Sequence, residues 1–506
     1  MALFPLPLPS SVQTAIFPAT SMPVTPSTVD LLHDPKLLQR FLVNCHRTVL
    51  EKGQSQLLSL SLPLSSVDPL RVLQRMHRES SSAPDNGQNC YFYLEKNAAA
   101  IAAWDPVWQV QVEGTQRFIQ TRQSIRTVLA NILTAGDLNL PFAGPHFFCS
   151  FTFFDQNPQP APFAAATIFL PRWQISRSSL QSSLVANLVL HPDTEPLELA
   201  TSLWQDLQRF SLDTPTAKPE PTPTQPVAAS PPLSQTVGEQ TAGLESFRTA
   251  VTAALEGIHT DRFCKLVLAH ALDIDASPAP DVFHTLTRLR SHYPNCYVFS
   301  HSQGRGQTFL GASPERLIRL QGEDLIVDAL AGSAPRGASP LEDEEIADRL
   351  LHSPKDLWEH QINVDFICQA LEALEISPQP QPPGLLQLPN IQHLQTLITA
   401  KVPAHLHLLD ILAALHPTPA VAGSPRVIAC DYIRRYEPFE RSLYAAPLGW
   451  IDYQGNGEFI VGIRSALISD HSTRLYAGAG IVAGSAPDQE VAEIQLKLQT
   501  LLSTLY

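Results

Sequence analysis

Apolar residues recur along the chain in two patterns, one with the two-residue spacing of strands and one with the spacing of amphipathic helices. Strand-like runs rich in aromatic and β-branched residues include CYFYLE (90–95), HFFCSFTFF (146–154) and AATIFLPRWQI (165–175). Helical spacing marks DPLRVLQRMHRES and TEPLELATSLWQDLQRF in the same part of the chain.

The C-terminal part has the same mixture. Its helical patterns are GLESFRTAVTAALEGI, the long LEDEEIADRLLHSPKDLWEHQINVDFICQALEAL and the final DQEVAEIQLKLQTLLSTL. Short strands with turns lie between the last two, as LYAAPLGWIDY, GEFIVGIRSALIS and RLYAGAGIVAG. Adjacent strands joined by short turns predict antiparallel pairing, and helices set apart from blocks of strands predict an α+β fold.

A proline-rich segment, DTPTAKPEPTPTQPVAASPPLSQT, interrupts these patterns. Its composition predicts a linker or exposed loop over residues 213–240, between an N-terminal part at 30–212 and a C-terminal part at 241–506. Residues 1–29 have no charged side chain and many prolines, so they fit neither a signal peptide nor an arginine-rich transit peptide. We expect them to form a disordered leader.

Composition narrows the classes of partner. The formal net charge of −14, without a basic stripe, argues against nucleic-acid binding. No apolar run approaches the ~20 residues that cross a bilayer, so we expect no membrane association. The seven cysteines are scattered without a CxxC pair, which disfavours a disulfide framework or a zinc ribbon and favours reduced thiols in a cytoplasm.

One lysine interrupts the apolar strand FCKLVLAHALDI. In an extended chain Lys265 shares a face with Val267, Ala269 and Ala271. An edge-strand lysine whose stem snorkels to water explains this pattern. A buried lysine whose proton affinity is lowered, so that it acts as a base, also explains it. The pattern alone leaves both interpretations open.

Carboxylates with helical spacing form a second candidate site. Glu490, Glu493 and Lys497 lie on one face of the last helix, next to the glycine turn YAGAGIVAGSAP. Glu359 and His360 lie in KDLWEHQ, which matches neither the HExxH nor the HxxEH zinc motif. Carboxylates without His or Cys partners suit a hard ion such as Mg²⁺, although solvated surface residues have the same spacing.

Turns rich in glycine suggest anion binding. FLGASPERLIRL places Glu315 at the exit of a turn, ALAGSAPRG is a second glycine turn, and HPTPAVAGSPR is a proline-bracketed loop. Backbone N–H groups in such turns bind anions. Arg464, in the apolar strand GIRSALI, needs an acid partner from the protein or from a ligand. Glycine turns are commonly structural, so none of these is decisive alone.

Taken in order, these motifs resemble the chorismate-utilising enzymes, the family of isochorismate, salicylate, anthranilate and aminodeoxychorismate synthases. The resemblance runs from about residue 245 to the C-terminus and covers KLVLA, GASPERL, ALAGSAPRG, KDLWEHQINVDFI, HPTPAVAGSPR, RSLYAAPLGW, IRSALI and AGAGIVAGSAPDQEVAEIQLKL. It implies one large α+β domain of two packed antiparallel sheets flanked by helices. Both halves of the chain would contribute, so the proline-rich segment would be a long loop.

Two positions distinguish the members of this family. Ammonia-using relatives carry Gln at the position of Lys265, whereas water-using relatives carry Lys, because water needs a base to become a nucleophile. Aminodeoxychorismate synthases carry a nucleophilic Lys where this chain has Ala331. The resemblance therefore implies an isochorismate synthase, an isomerase that converts chorismate into isochorismate with Mg²⁺ and without a redox cofactor.

The resemblance also implies roles for individual residues. Water activated by Lys265 would attack C2 of chorismate while Glu315 protonates the departing C4 hydroxyl. Glu359 and Glu493 would bind Mg²⁺, with Glu490 acting through water, and the ion would hold the ring carboxylate. Arg464, helped by Lys497 and Tyr444, would hold the enolpyruvyl carboxylate, and His416 and Ala420 would line the ring pocket. The implied substrate-binding set is Gly332, Ser333, His360, His416, Ala420, Tyr444, Arg464, Gly478, Gly480 and Lys497.

Some residues depart from the family pattern. His270 stands where Arg is usual, Ser333 replaces Thr, and Ser442 and Ala446 replace glycines. We expect these changes to affect the fine geometry of the pocket rather than the reaction class.

Two rival functions remain. A salicylate synthase would make isochorismate and then eliminate pyruvate, and a chorismate-binding protein would bind without catalysis. Anthranilate synthesis is disfavoured by Lys265, so no amidotransferase subunit is expected, and the family implies a monomer. The pathway that consumes the product, whether quinone, siderophore or salicylate synthesis, stays open.

Overall fold

The computed structural model describes residues 34–81, 90–158, 161–179, 181–211, 237–275 and 278–505. Within these ranges the chain forms eleven helices and twenty strands. The helices are α1 Pro35–Lys52, α2 Pro69–Ser81, α3 Arg117–Leu129, α4 Pro196–Ser211, α5 Val237–His259, α6 Val282–His292, α7 Pro340–His352, α8 Pro354–Glu372, α9 Leu408–Leu415, α10 Arg426–Tyr436 and α11 Pro487–Leu505.

The strands of the N-terminal half are β1 Gln56–Leu64, β2 Cys90–Lys96, β3 Ala99–Val112, β4 Ile132–Gly136, β5 His146–Phe151, β6 Ala166–Ser178 and β7 Gln181–Leu190. Those of the C-terminal half are β8 Lys265–Asp275, β9 Tyr297–Gln303, β10 Thr308–Ser313, β11 Arg316–Gln321, β12 Asp324–Pro335, β13 Gln379–Pro380, β14 Gly384–Gln387, β15 Ile391–Lys401, β16 Gly423–Ser424, β17 Pro447–Asp452, β18 Gly457–Val461, β19 Ser465–Ile468 and β20 Ser472–Val482.

The strands form two branches that share β6. One branch runs in the order β4, β1, β7, β6, β3, β2, β9, β10, β19, β20, β8, β16, and the other in the order β6, β5, β17, β18, β11, β12, β15. Every described pairing is antiparallel except that of β1 with β4. β6 belongs to both branches because its first residues pair with β5 and its last residues pair with β7.

The two branches pack face to face, and their inner faces form the core. The rings of Phe92 on β2 and Phe148 on β5 lie 5.2 Å apart, and both side chains are fully buried. Ser150 on β5 also lies within hydrogen-bond distance of His301 on β9, at 3.2 Å. The predicted α+β fold of two packed antiparallel sheets with outer helices is confirmed.

Both halves of the chain build this core. β2 pairs with β9, and β5 pairs with β17, so a block of N-terminal strands is joined to a block of C-terminal strands in each branch. The predicted leader, 1–29, lies outside the described residues, as does most of the predicted linker. The end of that linker, 237–240, was assigned wrongly, because α5 begins at Val237.

One long predicted helix is divided in two. Ser353 ends α7 with extended backbone angles, and its side chain accepts a hydrogen bond from the Asp356 backbone at the start of α8. Pro354 occupies the first turn of α8, where its missing N–H costs nothing. This break sets the direction of α8, which packs on β12 and carries Glu359. No helix among the described residues is long and apolar enough to cross a membrane.

Candidate active site

A cavity of about 100 Å³ opens where β8 and β20 meet β12, β15, α8 and α11. Most of the residues that the sequence singled out lie on its wall. These are Glu315, Gly332, Ser333, Glu359, Ala420, Tyr444, Arg464, Gly478, Gly480, Glu493 and Lys497. The topology therefore brings together motifs that are far apart in the sequence.

Lys265, the first residue of β8, lies behind the cavity wall and contacts Glu359, which is part of that wall. Only 1% of the residue is exposed, so the interpretation of a lysine that snorkels to water is wrong. Its Nζ lies 2.9 Å from Oε1 of Glu359. Glu359 belongs to α8, so the partner of Lys265 cannot be identified from the apolar residues of its own strand. Gly480 makes room for this pair, because a Cβ there would lie 2.5 Å from the Glu359 oxygen and 3.4 Å from Lys265 Cε.

Glu315 is a buried carboxyl that is protonated at neutral pH. Its backbone N–H donates to Ser313 Oγ at 3.2 Å, and its carbonyl accepts from the Val461 N–H at 3.1 Å. Burial, with a smaller contribution from the negative charge of Asp328, raises the pKa of Glu315 to about 8, and the positive charge of Lys265 opposes the shift. A carboxyl in this state is a proton donor.

Carboxylates of α8 and α11 approach one another across the cavity. Glu493 forms an ion pair with Lys497, whose ammonium also donates to the Gly478 carbonyl at 2.7 Å. Glu490 lies behind the cavity wall, and its pKa is raised to about 7 by burial and then by the negative charge of Glu493. In the described part of the chain, no three His, Cys, Asp or Glu side chains are gathered closely enough to hold a metal ion. The metal prediction for Glu359, Glu490 and Glu493 therefore stays a prediction.

Arg464 has no carboxylate partner in the described part of the protein. Its guanidinium Nη2 instead lies 3.1 Å from Nε2 of His393, and burial lowers its pKa. Nδ1 of His393 lies 2.8 Å from Ser333 Oγ. A β-bulge at Gly332 (φ +73°) shifts the β12–β15 register, so that Ser333 and not Gly332 stands opposite His393.

His393 was missed in the sequence. His393 is one of several polar residues in the strand-like run NIQHLQTLITA, and nothing local pairs it with Ser333 or Arg464.

A buried ion pair, also missed, supports the loop that carries Ala420. Arg441 is paired with Glu437, and it donates to the carbonyls of Val421, at 2.7 Å, and of Val267, at 2.8 Å. The loop is thereby tied to β8. The sequence contains a signal for this pair, because Glu437 lies four residues before Arg441 in YEPFER.

Two predicted histidines do not line the cavity. His416 packs on the rings of Phe118 and Phe153, and its Nε2 lies 3.1 Å from the Phe153 carbonyl. The prediction that it lines the ring pocket is therefore corrected. His360 lies behind the wall with its Nε2 2.8 Å from Thr396 Oγ1, and burial lowers its pKa to about 4.

The structure also locates three of the residues that depart from the family pattern, His270, Ser442 and Ala446. His270 faces α5, with its ring 6.3 Å from that of Phe247, and so lies on the opposite face of β8 from Lys265. Ser442 has a φ of +51°, a region that favours glycine, and Ala446 is fully buried beside it. His270 therefore has no contact with the cavity.

Comparisons with known proteins agree with this fold. A salicylate biosynthesis isochorismate synthase from Pseudomonas aeruginosa is 33% identical over 468 residues, which are 90% of this chain and 92% of that protein. Isochorismate synthase MenF from Bacillus subtilis is 40% identical over 257 residues, which are 51% of this chain and 54% of that protein. The solved structure of MenF, the menaquinone-specific isochorismate synthase from Escherichia coli, has the same fold, with a TM-score of 0.69 at 24% identity over 93% of this chain and all of that one.

The family model for chorismate binding enzymes matches residues 41–506. Because this match spans nearly the whole chain, and the Pseudomonas relative aligns over nine tenths of it, the protein belongs to the chorismate binding enzyme family.

Proposed function

We propose that this enzyme is an isochorismate synthase, which converts chorismate into isochorismate. One observation carries the proposal: a neutral buried carboxyl, Glu315, lies on the cavity wall, and a buried lysine, Lys265, contacts the wall residue Glu359. A reaction that adds water at one carbon and expels hydroxide from another needs a base and an acid together. The ammonia-using relatives need no such base.

The proposed reaction balances without a redox partner. In its neutral form, the amine of Lys265 takes a proton from water as the water oxygen bonds to C2 of chorismate. The double bonds shift, the C4–O bond breaks, and Glu315 gives its proton to the departing hydroxyl, which leaves as water. Lys265 ends protonated and Glu315 ends ionised, and transfer of one proton through solvent restores both.

The cations of the cavity suit the two carboxylates of the substrate. The sequence predicts an acid partner for Arg464, and the described residues provide none. A carboxylate of the bound substrate would be that partner. Lys497 points its ammonium at Gly478 on the same wall. Gly478 keeps this wall open, because a Cβ there would lie 2.7 Å from the Tyr444 hydroxyl.

The donor chemistry of the site fits Mg²⁺. Glu359 and Glu493 offer oxygen ligands at the cavity wall, and Glu490 is near enough for its pKa to respond to both of them. We propose that Glu359 and Glu493 hold the ion and that Glu490 acts through water. A bound divalent cation would neutralise these carboxylates and the ring carboxylate of the substrate.

The names of the relatives support the same reaction. The Pseudomonas protein and the MenF proteins of Bacillus subtilis and Escherichia coli are isochorismate synthases, and the first is assigned to salicylate biosynthesis. Because this relative is assigned to salicylate biosynthesis, we test whether the present protein also eliminates pyruvate from isochorismate. Action in the cytoplasm, as a monomer and without an amidotransferase subunit, stays a prediction.

Incubation of the purified protein with chorismate and Mg²⁺, followed by chromatography, tests the proposal. Isochorismate should accumulate until it reaches equilibrium with chorismate. Salicylate that grows in step with pyruvate would replace the proposal by a salicylate synthase. Unchanged chorismate at every metal concentration would leave only a binding protein.

A further inference from the structure

His393 joins two groups of the cavity that are distant in the sequence. Its Nδ1 faces Ser333 Oγ at 2.8 Å, and its Nε2 faces Nη2 of Arg464 at 3.1 Å. His393 is 6% exposed, and the described residues offer the Ser333 hydroxyl no other hydrogen-bond partner. The two cavity residues on either side of His393 are therefore coupled through one ring.

The number of protons on this ring is limited. Burial and the positive charges of Arg464 and Lys497 hold the pKa of His393 well below its usual range, although a hydrogen bond with the Gly332 backbone opposes the shift. The ring therefore carries a single proton, and one of its nitrogens accepts hydrogen bonds.

The position of that proton follows from the neighbours. A guanidinium has only donors, so the Nε2 that faces Arg464 must accept, and the single proton must lie on Nδ1. Nδ1–H then donates to Ser333 Oγ. The hydroxyl hydrogen of Ser333 is left without a partner on this side, and Ser333 lines the cavity.

We infer that His393 is a positioning residue that holds the Arg464 guanidinium and turns the Ser333 hydroxyl into a donor aimed at a substrate carboxylate. The inference rests on the proposed function, because chorismate is the ligand that the donor would meet. With the opposite tautomer, Nε2–H would face Arg464 N–H, and Ser333 would donate to Nδ1 and present only lone pairs to an anion. The Gly332 bulge is what brings Ser333 into reach of the ring.

The proton position is measurable without substrate. Neutron crystallography of the ligand-free wild-type protein should show a proton on Nδ1 of His393 and none on Nε2. Nitrogen-15 spectra of histidine-labelled protein, assigned by comparison with His393→Gln, should agree. A proton on Nε2, or on both nitrogens, would overturn the inference.

Kinetics test the consequence for binding. Ser333→Ala and His393→Leu should each raise the KM for chorismate by about 10- to 100-fold, the range for a lost hydrogen bond to a charged group. The loss in kcat should be smaller, because this contact is made in the ground state as well as in the transition state. The double variant should raise KM by much less than the product of the single effects.

An amide offers one acceptor and one donor, so His393→Gln should recover most of the affinity that His393→Leu loses. His407→Asn is the matched control, since His407 caps α9 outside the cavity wall and Asn is a good cap. An unchanged KM in His393→Leu, or fully multiplicative single effects, would also overturn the inference. If wild-type protein fails to convert chorismate, the proposed function fails, whereas the proton position is still decided by diffraction.

Discussion

Replacement of Glu315 by glutamine tests the acid that we propose for catalysis. Glu315→Gln keeps the size of the side chain but removes the transferable proton, so turnover should fall by ~10²–10⁴-fold. The same change should make the folded protein more tolerant of alkaline pH. The reason is that the buried carboxyl of the wild type must acquire a charge as the pH rises, and the amide never does.

The magnitude follows from the pKa of Glu315, which rises from 4.5 to about 8 on folding. A carboxyl with a raised pKa stabilises the folded state while it is protonated, and this stabilisation is lost as the pH rises from the unfolded to the folded pKa. Between pH ~5 and ~8 the loss is about 3 to 4 kcal/mol, at ~1.36 kcal/mol per pH unit. The glutamine variant should escape this loss.

Thermal unfolding followed by tryptophan fluorescence measures the effect. At ~2.1 cal/mol/K per residue, a chain of 506 residues unfolds with an entropy of ~1.1 kcal/mol/K, so the Tm of Glu315→Gln relative to wild type should rise by ~3 °C from pH ~5 to ~8. Glu344→Gln, on the exposed side of α7, controls for the loss of one charge. A Tm difference that is constant with pH would show that Glu315 is already ionised in the folded protein, and the acid would have to be another residue.

Three further changes test the rest of the site. Lys265→Ala should lower kcat by at least ~10²-fold, as expected for loss of a general base. Lys265→Gln with added ammonium should form some aminated product. Near-normal turnover in the alanine variant would show that another residue is the base. EDTA should abolish turnover and Mg²⁺ should restore it, and Glu493→Gln should raise the Mg²⁺ concentration needed for half-maximal rate; activity in metal-free protein would refute the metal assignment. Gly480→Ala should reduce kcat/KM by at least ~10-fold, because its methyl group would lie 2.5 Å from Glu359 Oε1 and displace a carboxylate that must be held in place. The control is Gly384→Ala, whose methyl group would meet only one atom, at 4.0 Å. This variant should have wild-type activity.

The sequence determined the parts of the site whose geometry is local. Helical spacing placed Glu493 and Lys497 on one face of α11, and they form an ion pair there. Adjacent short strands predicted antiparallel pairing, and the motif GASPER predicted a turn that presents Glu315. Such features depend on residues within a few positions of each other, where spacing alone decides which side chains are neighbours.

Tertiary structure decided the contacts between distant segments. The pairing of Lys265 with Glu359 depends on how α8 packs on β12 and β15, and the break at Ser353 sets the direction of α8. His416 belongs to a motif of the family, yet its ring turns toward the Phe153 carbonyl and away from the cavity. The link between Ser333 and His393 exists because a one-residue bulge shifts the β12–β15 register, and a shift of one residue in a strand changes which side chains face each other.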